Sequence, residues 1–288
     1  MTDLVQFIDH PPLHEPTLLL ALEGWIDAGG AAQGAARAIL GAHSSEPIAE
    51  FNADELLDHR ARRPTMILTE GVMTDLVWPS IELRALTDSQ GRHVVILAGA
   101  EPDHAWGRFV GAVRDAAVSL GVQTVVGLGA YPAPVPHTRD SNLSLTSPSP
   151  DVLDSLPGFV RGTIQVPAGV QSAIEMSTHE AGLRSIGLWA QVPHYISSIA
   201  YPAASVALVE GLERVAGLSF EAAALRDEAA AGRSQLDELV AGNDQHREMV
   251  EQLEQMYDSQ GLDALGPLPT GDQLAAEFQA FLRDNPDT

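Results

Sequence analysis

The apolar positions of this chain fall into short unbroken runs separated by stretches in which they recur three or four residues apart. Thr17–Leu22 is a continuous apolar run of strand length, which suits a central strand covered on both faces. Gly24, Asp27, Gly29 and Gly30 then interrupt it. From Ala28 to Leu40 almost every residue is alanine, glycine or aliphatic, which predicts a helix able to approach its neighbour closely, with Asp27 at the N-cap. Such a turn at the carboxyl end of a parallel strand is a usual place for a ligand, and equally for tight packing.

The same alternation continues. Leu4–Ile8, Pro47–Phe51 and Met66–Thr69 read as strands, while Val72–Leu86 is mixed, with Pro79 weakening any long helix. Val94–Ala98 predicts a strand, Ala105–Leu120 a helix closed by Gly121, and Thr124–Leu128 another strand. Tyr131–Pro157, rich in Pro, Ser and Thr, reads as a long loop. A strand at Gly162–Val166, a helix at Ala168–Gly182, a strand at Ile186–Val192 and a helix at Pro202–Ala216 complete an α/β domain with a mostly parallel sheet over residues 1–216. Residues 217–288 hold no strand candidate. Phe220–Ala231 and Gln235–Tyr257 read as a helical hairpin broken at Gly232 and Arg233, and Asp272–Leu282 as a last short helix. Leu236, Leu239, Val240, Met249, Leu253 and Met256 recur at helical spacing, so the parent domain or another subunit must cover them.

Composition narrows the chemistry. The formal net charge of -23 argues against nucleic acid or an anionic membrane as the main partner, since both need clustered basic residues. From Ser219 onward fifteen acidic residues face four arginines, the solvated faces of amphipathic helices. All sixteen basic residues are arginine, which removes Schiff-base chemistry and the phosphate-loop lysine. Absence of cysteine removes thiol nucleophiles and thiolate zinc sites and is compatible with a reducing cytoplasm, the expected location. The start, MTDLVQFIDHPP, lacks the charged and apolar regions of a signal peptide, and no apolar run approaches the roughly 20 residues of a membrane span.

Four short segments carry the candidate chemistry. Glu23-Gly24-Trp25-Ile26-Asp27-Ala28-Gly29-Gly30 matches neither a dinucleotide nor a Walker pattern. It reads as a backbone anion site at a helix start, or as a glycine turn in which Trp25 packs and Asp27 caps. Glu101-Pro102-Asp103-His104-Ala105-Trp106 offers two carboxylates for acid–base work, but reads first as a helix start capped by Asp103 over a buried Trp106. Val135-Pro136-His137-Thr138-Arg139 and Val192-Pro193-His194-Tyr195 each set a histidine after proline, as proton carrier, ligand or packed corner, with Arg139 as an anion clamp. Isolated histidines without metal-ligand spacing give no metal site, and no cofactor is implied. A G-x-S-x-G nucleophile elbow is absent.

These phrases, EGWIDAGGAA, EPDHAW, VPHTR and VPHY, with AAEFQAFLR in the tail, resemble the PAC2 family, named after proteasome assembly chaperone 2, and its actinobacterial branch. The likeness extends over nearly the whole chain. It implies a three-layer α/β/α sandwich, similar to the purine nucleoside phosphorylase fold, with a C-terminal helical extension, assembling as a homo-oligomer, a trimer. Eukaryotic members act as non-catalytic chaperones in building the proteasome α-ring. No catalytic residues come with the resemblance. Where relatives carry polar residues, this chain has Ile26 and Gly30, which weakens a polar role there.

Two readings follow. The first is a non-enzymatic assembly chaperone or scaffold whose acidic extension meets a protein partner, proteasome subunits among the expected ones. The second is a small-molecule site, for a nucleoside or carboxylate, at the carboxyl ends of the strands. Its candidate pocket comprises Glu23, Gly24, Asp27, Gly29, Gly30, Glu101, His137, Arg139, His194 and Tyr195. That reading requires Glu23, Asp27, His137 and His194 to converge in one pocket. Fold similarity to a phosphorylase does not by itself license phosphorolysis.

Overall fold

The structure is a computed structural model that describes residues 4–24, 26–156 and 163–260. Its strands are β1 (Val5–Phe7), β2 (Thr17–Glu23), β3 (Glu46–Phe51), β4 (Thr65–Thr69), β5 (Val72–Val77), β6 (Ile81–Thr87), β7 (His93–Ala100), β8 (Thr124–Ala133), β9 (Leu143–Thr146) and β10 (Arg184–Pro193). Its helices are α1 (Ala31–Ala42), α2 (Ala53–Leu56), α3 (Trp106–Ser119), α4 (Pro150–Asp154), α5 (Val170–Glu180), α6 (Pro202–Ala216), α7 (Ala223–Ala241) and α8 (Asp244–Gln260). Eight strands form one sheet in the order β1-β3-β6-β7-β2-β8-β10-β9, and β4 pairs only with β5. The four central strands β7, β2, β8 and β10 are mutually parallel, and the antiparallel pairs lie toward the edges.

Strand β2 lies near the middle because it can be buried on both faces. Leu18 and Leu20 join a core with Phe109 and Val113 of α3 and Ile174 of α5, whereas Leu19 and Ala21 join the core under α1 and α6. The alternation of side chains across a strand thus serves two cores from one uninterrupted apolar run. Each fully buried leucine contributes about 1.5–3 kcal/mol. On the upper face, small residues let α1 approach α6: a side chain at Gly34 would meet the Ser205 hydroxyl at 2.3 Å. On the lower face, α5 lies over Gly127 and Gly187, register partners in β8 and β10, whose missing side chains leave room for the carboxyl of Glu175. Gln171 Nε2 donates to that carboxyl at 3.0 Å, and burial pushes its pKa up to about 7.

Most expected elements occur with small shifts in their ends, and the sandwich with its mostly parallel sheet is the observed fold. Val72–Leu86 is not mixed but forms β5 and β6, with Pro79 in the break between them. The stretch 131–157 is less of a loop than its composition suggests: β8 runs on to Ala133, and β9 and α4 follow. β9 pairs with β10, so tertiary pairing overrides the low strand propensity of its surroundings. Of the strand expected at 162–166, Gly162 lies outside the described residues and 163–166 form no strand. The hairpin breaks at Gly242 and Asn243, not at Gly232 and Arg233, because α7 continues through that pair. An isolated glycine costs a helix only about 1 kcal/mol, too little to end one. Of the apolar tail positions, Leu253 is buried while Leu239 is 68% exposed. The helix expected at 272–282 and the Trp25 packing lie outside the described residues. No described helix is long and apolar enough to cross a membrane.

Candidate functional site

The turn after β2 is closed by its own carboxylate. Asp27 accepts the amide N–H groups of Ala32 at 2.7 Å and Gln33 at 3.0 Å, in the first turn of α1. Burial raises its pKa, and the same amides, with the charge of Arg37, oppose that rise. The donors that would cradle an external anion are therefore taken by a resident one. Gly29 is equally engaged: its N–H donates to the Ser197 carbonyl at 2.7 Å, and its carbonyl accepts from Tyr201 at 2.9 Å. At φ 62° it adopts a left-handed conformation, and a side chain there would come within 2.8 Å of Tyr201 Cβ. Gly30, with φ 57°, opens on free space.

Glu23 and Glu101 meet through backbone. The Glu101 N–H donates to the Glu23 carbonyl at 2.9 Å, and the Glu23 side chain is exposed. The Glu101 carboxylate accepts the Val170 N–H at 2.6 Å, on the first residue of α5, where an acceptor satisfies an orphan helix amide. It fills the space that a side chain at Gly24 would occupy, 2.9 Å away. Asp103 does not cap α3. The cap residue is Ala105, with φ 55°, and Asp103 accepts instead from the Asp58 amide and the Arg62 guanidinium. Trp106 is not buried but 37% exposed, its Nε1 donating to the Pro102 carbonyl at 2.6 Å.

The remaining candidates gather at the seam between the sheet and the α7–α8 hairpin. His137 is buried between two partners: Nδ1 lies 2.6 Å from the Tyr195 hydroxyl, and Nε2 3.2 Å from Asp237 Oδ1. The Tyr195 oxygen already accepts the His137 amide at 2.9 Å, so its proton goes to Nδ1 and the neutral ring donates from Nε2 to Asp237. Burial lowers the His137 pKa, against the raising effect of Asp237, and burial pushes Tyr195 up to about 12. His194 stacks edge-on against Tyr195 at 5.5 Å, with Nδ1 3.4 Å from the Ala133 carbonyl.

The loop after His137 is held by both hairpin helices. The Thr138 hydroxyl donates to Glu254, and the Thr138 carbonyl accepts from Arg233 at 2.9 Å. Arg139 forks onto Asp258 at 3.0 and 2.8 Å and reaches Glu254 at 3.1 Å. Asp258, then Glu254, hold the guanidinium well above its ordinary pKa. Such exposed pairs add little singly, but here several share one seam. The Tyr257 hydroxyl lies 3.0 Å from both the Asp140 carbonyl and Asn142 Oδ1.

The ten candidates thus fall into three sets: the Asp27 turn, the Glu101 cap and the His137 seam. A groove of about 400 Å³ between α1, α6 and α7 is lined by Gly29, Gly30, Arg37, Tyr201, Ser205 and Glu228 among others, and by none of Glu23, Asp27, His137 or His194. No group of three or more His, Asp or Glu residues that could hold a metal ion occurs among the described residues. Sequence reasoning missed Asp237, Glu254 and Asp258, which lie 100 to 119 residues from their partners. A signal existed for two of them: Glu254 and Asp258 are four apart on one helix, so both carboxylates share a face.

The PAC2 family model matches residues 21–240. Among solved structures, a Mycobacterium tuberculosis protein of unknown function is 35% identical, with a TM-score of 0.83 over 90% of this chain and 92% of its own. A proteasome-assembly chaperone homologue from the same organism is 30% identical, with a TM-score of 0.74 over 81% of this chain and 99% of its own. A PAC2 family protein from Streptomyces avermitilis, also 30% identical, has a TM-score of 0.73 over 82% of this chain and 99% of its own. The comparison with curated proteins gives no match.

Proposed function

This chain belongs to the PAC2 family, and from that premise we propose that it is a non-catalytic assembly chaperone or scaffold, which binds a protein partner through the acidic outer face of its α7–α8 hairpin. Proteasome components are the partner class, because a relative of 30% identity is a proteasome-assembly chaperone homologue. The working form is a homo-oligomer, a trimer, in the cytoplasm. The core is the α/β unit of residues 1–216, and residues 217–288 are its partner-facing extension.

One observation carries this reading. His137 and Arg139 are engaged with Asp237, Glu254 and Asp258, and so anchor the hairpin to the α/β core. A helical pair fixed at its base presents its outward carboxylates as a defined surface. Glu238, Glu248 and Glu251 on that surface are exposed. Acidic surface of this kind favours a partner with complementary basic charge and raises the rate of encounter. The small-molecule alternative would need the polar candidates in one pocket, and the groove beside α1 contains none of the four that it requires.

The test is retention of purified proteasome α-subunits by the immobilised full-length chain. We expect retention by the wild type, lost in a Glu238→Arg/Glu248→Arg/Glu251→Arg variant whose melting temperature is unchanged. Equal retention by both proteins, or none by either, would overturn the proposal.

A further inference from the structure

The groove of about 400 Å³ runs between α1 and α7, over α6, on which both helices pack. Its volume lies within the roughly 300–1,000 Å³ usual for small-ligand sites. Ser205 of α6 is 2% exposed, and its hydroxyl makes no hydrogen bond among the described residues. A side-chain hydroxyl buried this deeply ordinarily has a partner. The Ser205 oxygen lies in the gap that Gly34 leaves on α1, and both residues line the groove, so a ligand lying there would supply that partner.

Charge on the walls selects the ligand. Arg37 of α1 stands on one side and Glu221 and Glu228 on the other, all three exposed and all lining the groove. None of the three side chains makes an ion pair or hydrogen bond among the described residues, and the ion pair on this part of α7 joins Arg226 to Glu210 instead. Asp27 feels the charge of Arg37 without bonding to it, since its oxygens are taken by amides of α1. An anion alone would meet two carboxylates and the field of a chain of net charge -23. A cation alone would leave Arg37 opposed by like charge. One carboxylate and two cationic groups in the same ligand satisfy both walls, with Leu225 offering apolar contact between them. We propose that this groove binds a short basic peptide with free termini, its carboxylate on Arg37, its ammonium groups on Glu221 and Glu228, and its peptide group at Ser205. The planar guanidinium fork suits the carboxylate. This goes beyond the protein-partner reading and does not depend on it, since that reading uses other carboxylates of the hairpin.

The probe is the dipeptide lysyl-alanine, titrated calorimetrically into the full-length chain beside its C-terminal amide, alanyl-alanine and glutamyl-alanine. We expect lysyl-alanine to bind, its amide and alanyl-alanine to bind about tenfold more weakly, and glutamyl-alanine not to bind. Arg37→Gln should erase the preference for acid over amide, and Glu221→Gln/Glu228→Gln the preference for lysyl over alanyl. Ser205→Ala should weaken binding and alter neither preference. The Arg37 and Glu221/Glu228 side chains are exposed, so those variants should keep the wild-type melting temperature, and a lost preference then reports the site. Bound lysyl-alanine should slow amide exchange in both 34–42 and 223–228. No binding of any dipeptide by the wild type at millimolar concentration, or preferences that the variants leave unchanged, overturns the proposal. Equal binding of lysyl-alanine and its amide by the wild type would assign the groove to cations alone and equally overturns it. So does exchange slowed only elsewhere, which would mean adsorption on another acidic patch. Arg37→Gln should retain proteasome α-subunits as the wild type does, so that failure of either reading leaves the other standing.

Discussion

The imidazole of His137 lies 3.2 Å from the carboxylate of Asp237, a hundred residues further along the chain, and this pair ties the α/β core to the helical hairpin. Asp237 is the only carboxylate with a described hydrogen bond to the ring, so Asp237→Ala strands a buried N–H. The expected cost is about 1 kcal/mol, the low end of the range for an unsatisfied group, because Asp237 is half exposed. Hydrogen exchange should quicken across 223–260 while the sheet amides stay protected. Unchanged exchange in both helices would show that the pair does not anchor them.

Burial makes the two titratable sites respond to pH in opposite directions. Glu175 has a folded pKa of about 7 against 4.5 for the free group, so its contribution is fully present below about 4.5 and is lost as the pH rises through 4.5 toward 7. The difference corresponds to about 3 kcal/mol. Glu175→Gln, which keeps the shape and partner, should raise the melting temperature at about pH 8 and leave it almost unchanged near pH 4. An equal effect at both pH values would mean that the carboxyl is not held neutral.

His137 behaves in the reverse sense, since its pKa is lowered from 6.5. Its contribution is complete above 6.5 and is lost as the pH falls below that value. Mild acid should therefore speed exchange in the hairpin ahead of the core, and His137→Gln should flatten that dependence. A hairpin whose exchange, corrected for intrinsic rate, ignores pH in the wild type contradicts this.

Asp27→Ala removes the acceptor for two amides at the start of α1 and is expected to cost about 1–2 kcal/mol. Phosphate should not raise the melting temperature of the wild type, because its carboxylate already fills that position. A phosphate-dependent rise in the wild type would count against the resident-anion assignment.

Two glycines should respond oppositely to alanine. Gly99 has φ 114°, and its Cβ would lie 2.0 Å from the Ser80 carbonyl oxygen, so Gly99→Ala should cost several kcal/mol, about 3 or more. Gly111 lies inside α3 with nothing within 4 Å of its Cβ position, so Gly111→Ala should stabilise by about 0.5–1 kcal/mol. Chemical denaturation of both variants checks the pair.

Local patterns revealed most of the architecture. The run at Thr17–Leu22 and the alanine-rich stretch behind it announce a buried strand and a closely packed helix, because both signals are local. Asp27 was legible as a cap for the same reason. β9 was not, since its strand state comes from pairing with β10 and not from its Ser- and Pro-rich surroundings. The hairpin's hold on His137 and Arg139 was hidden by distance along the chain. Asp103 shows the converse: its local pattern matched a cap, but Asp58 and Arg62 compete for the same carboxylate.

The place of β2 in the sheet has a consequence for synthesis. Thr17 pairs in register with Val94 and Thr124, so the strand waits for partners made far later. At 5–20 residues per second, roughly 4–15 s separate the appearance of Thr17 from that of Val94. A strand buried on both faces in the finished protein is thus among the stretches that spend longest bare on the ribosome.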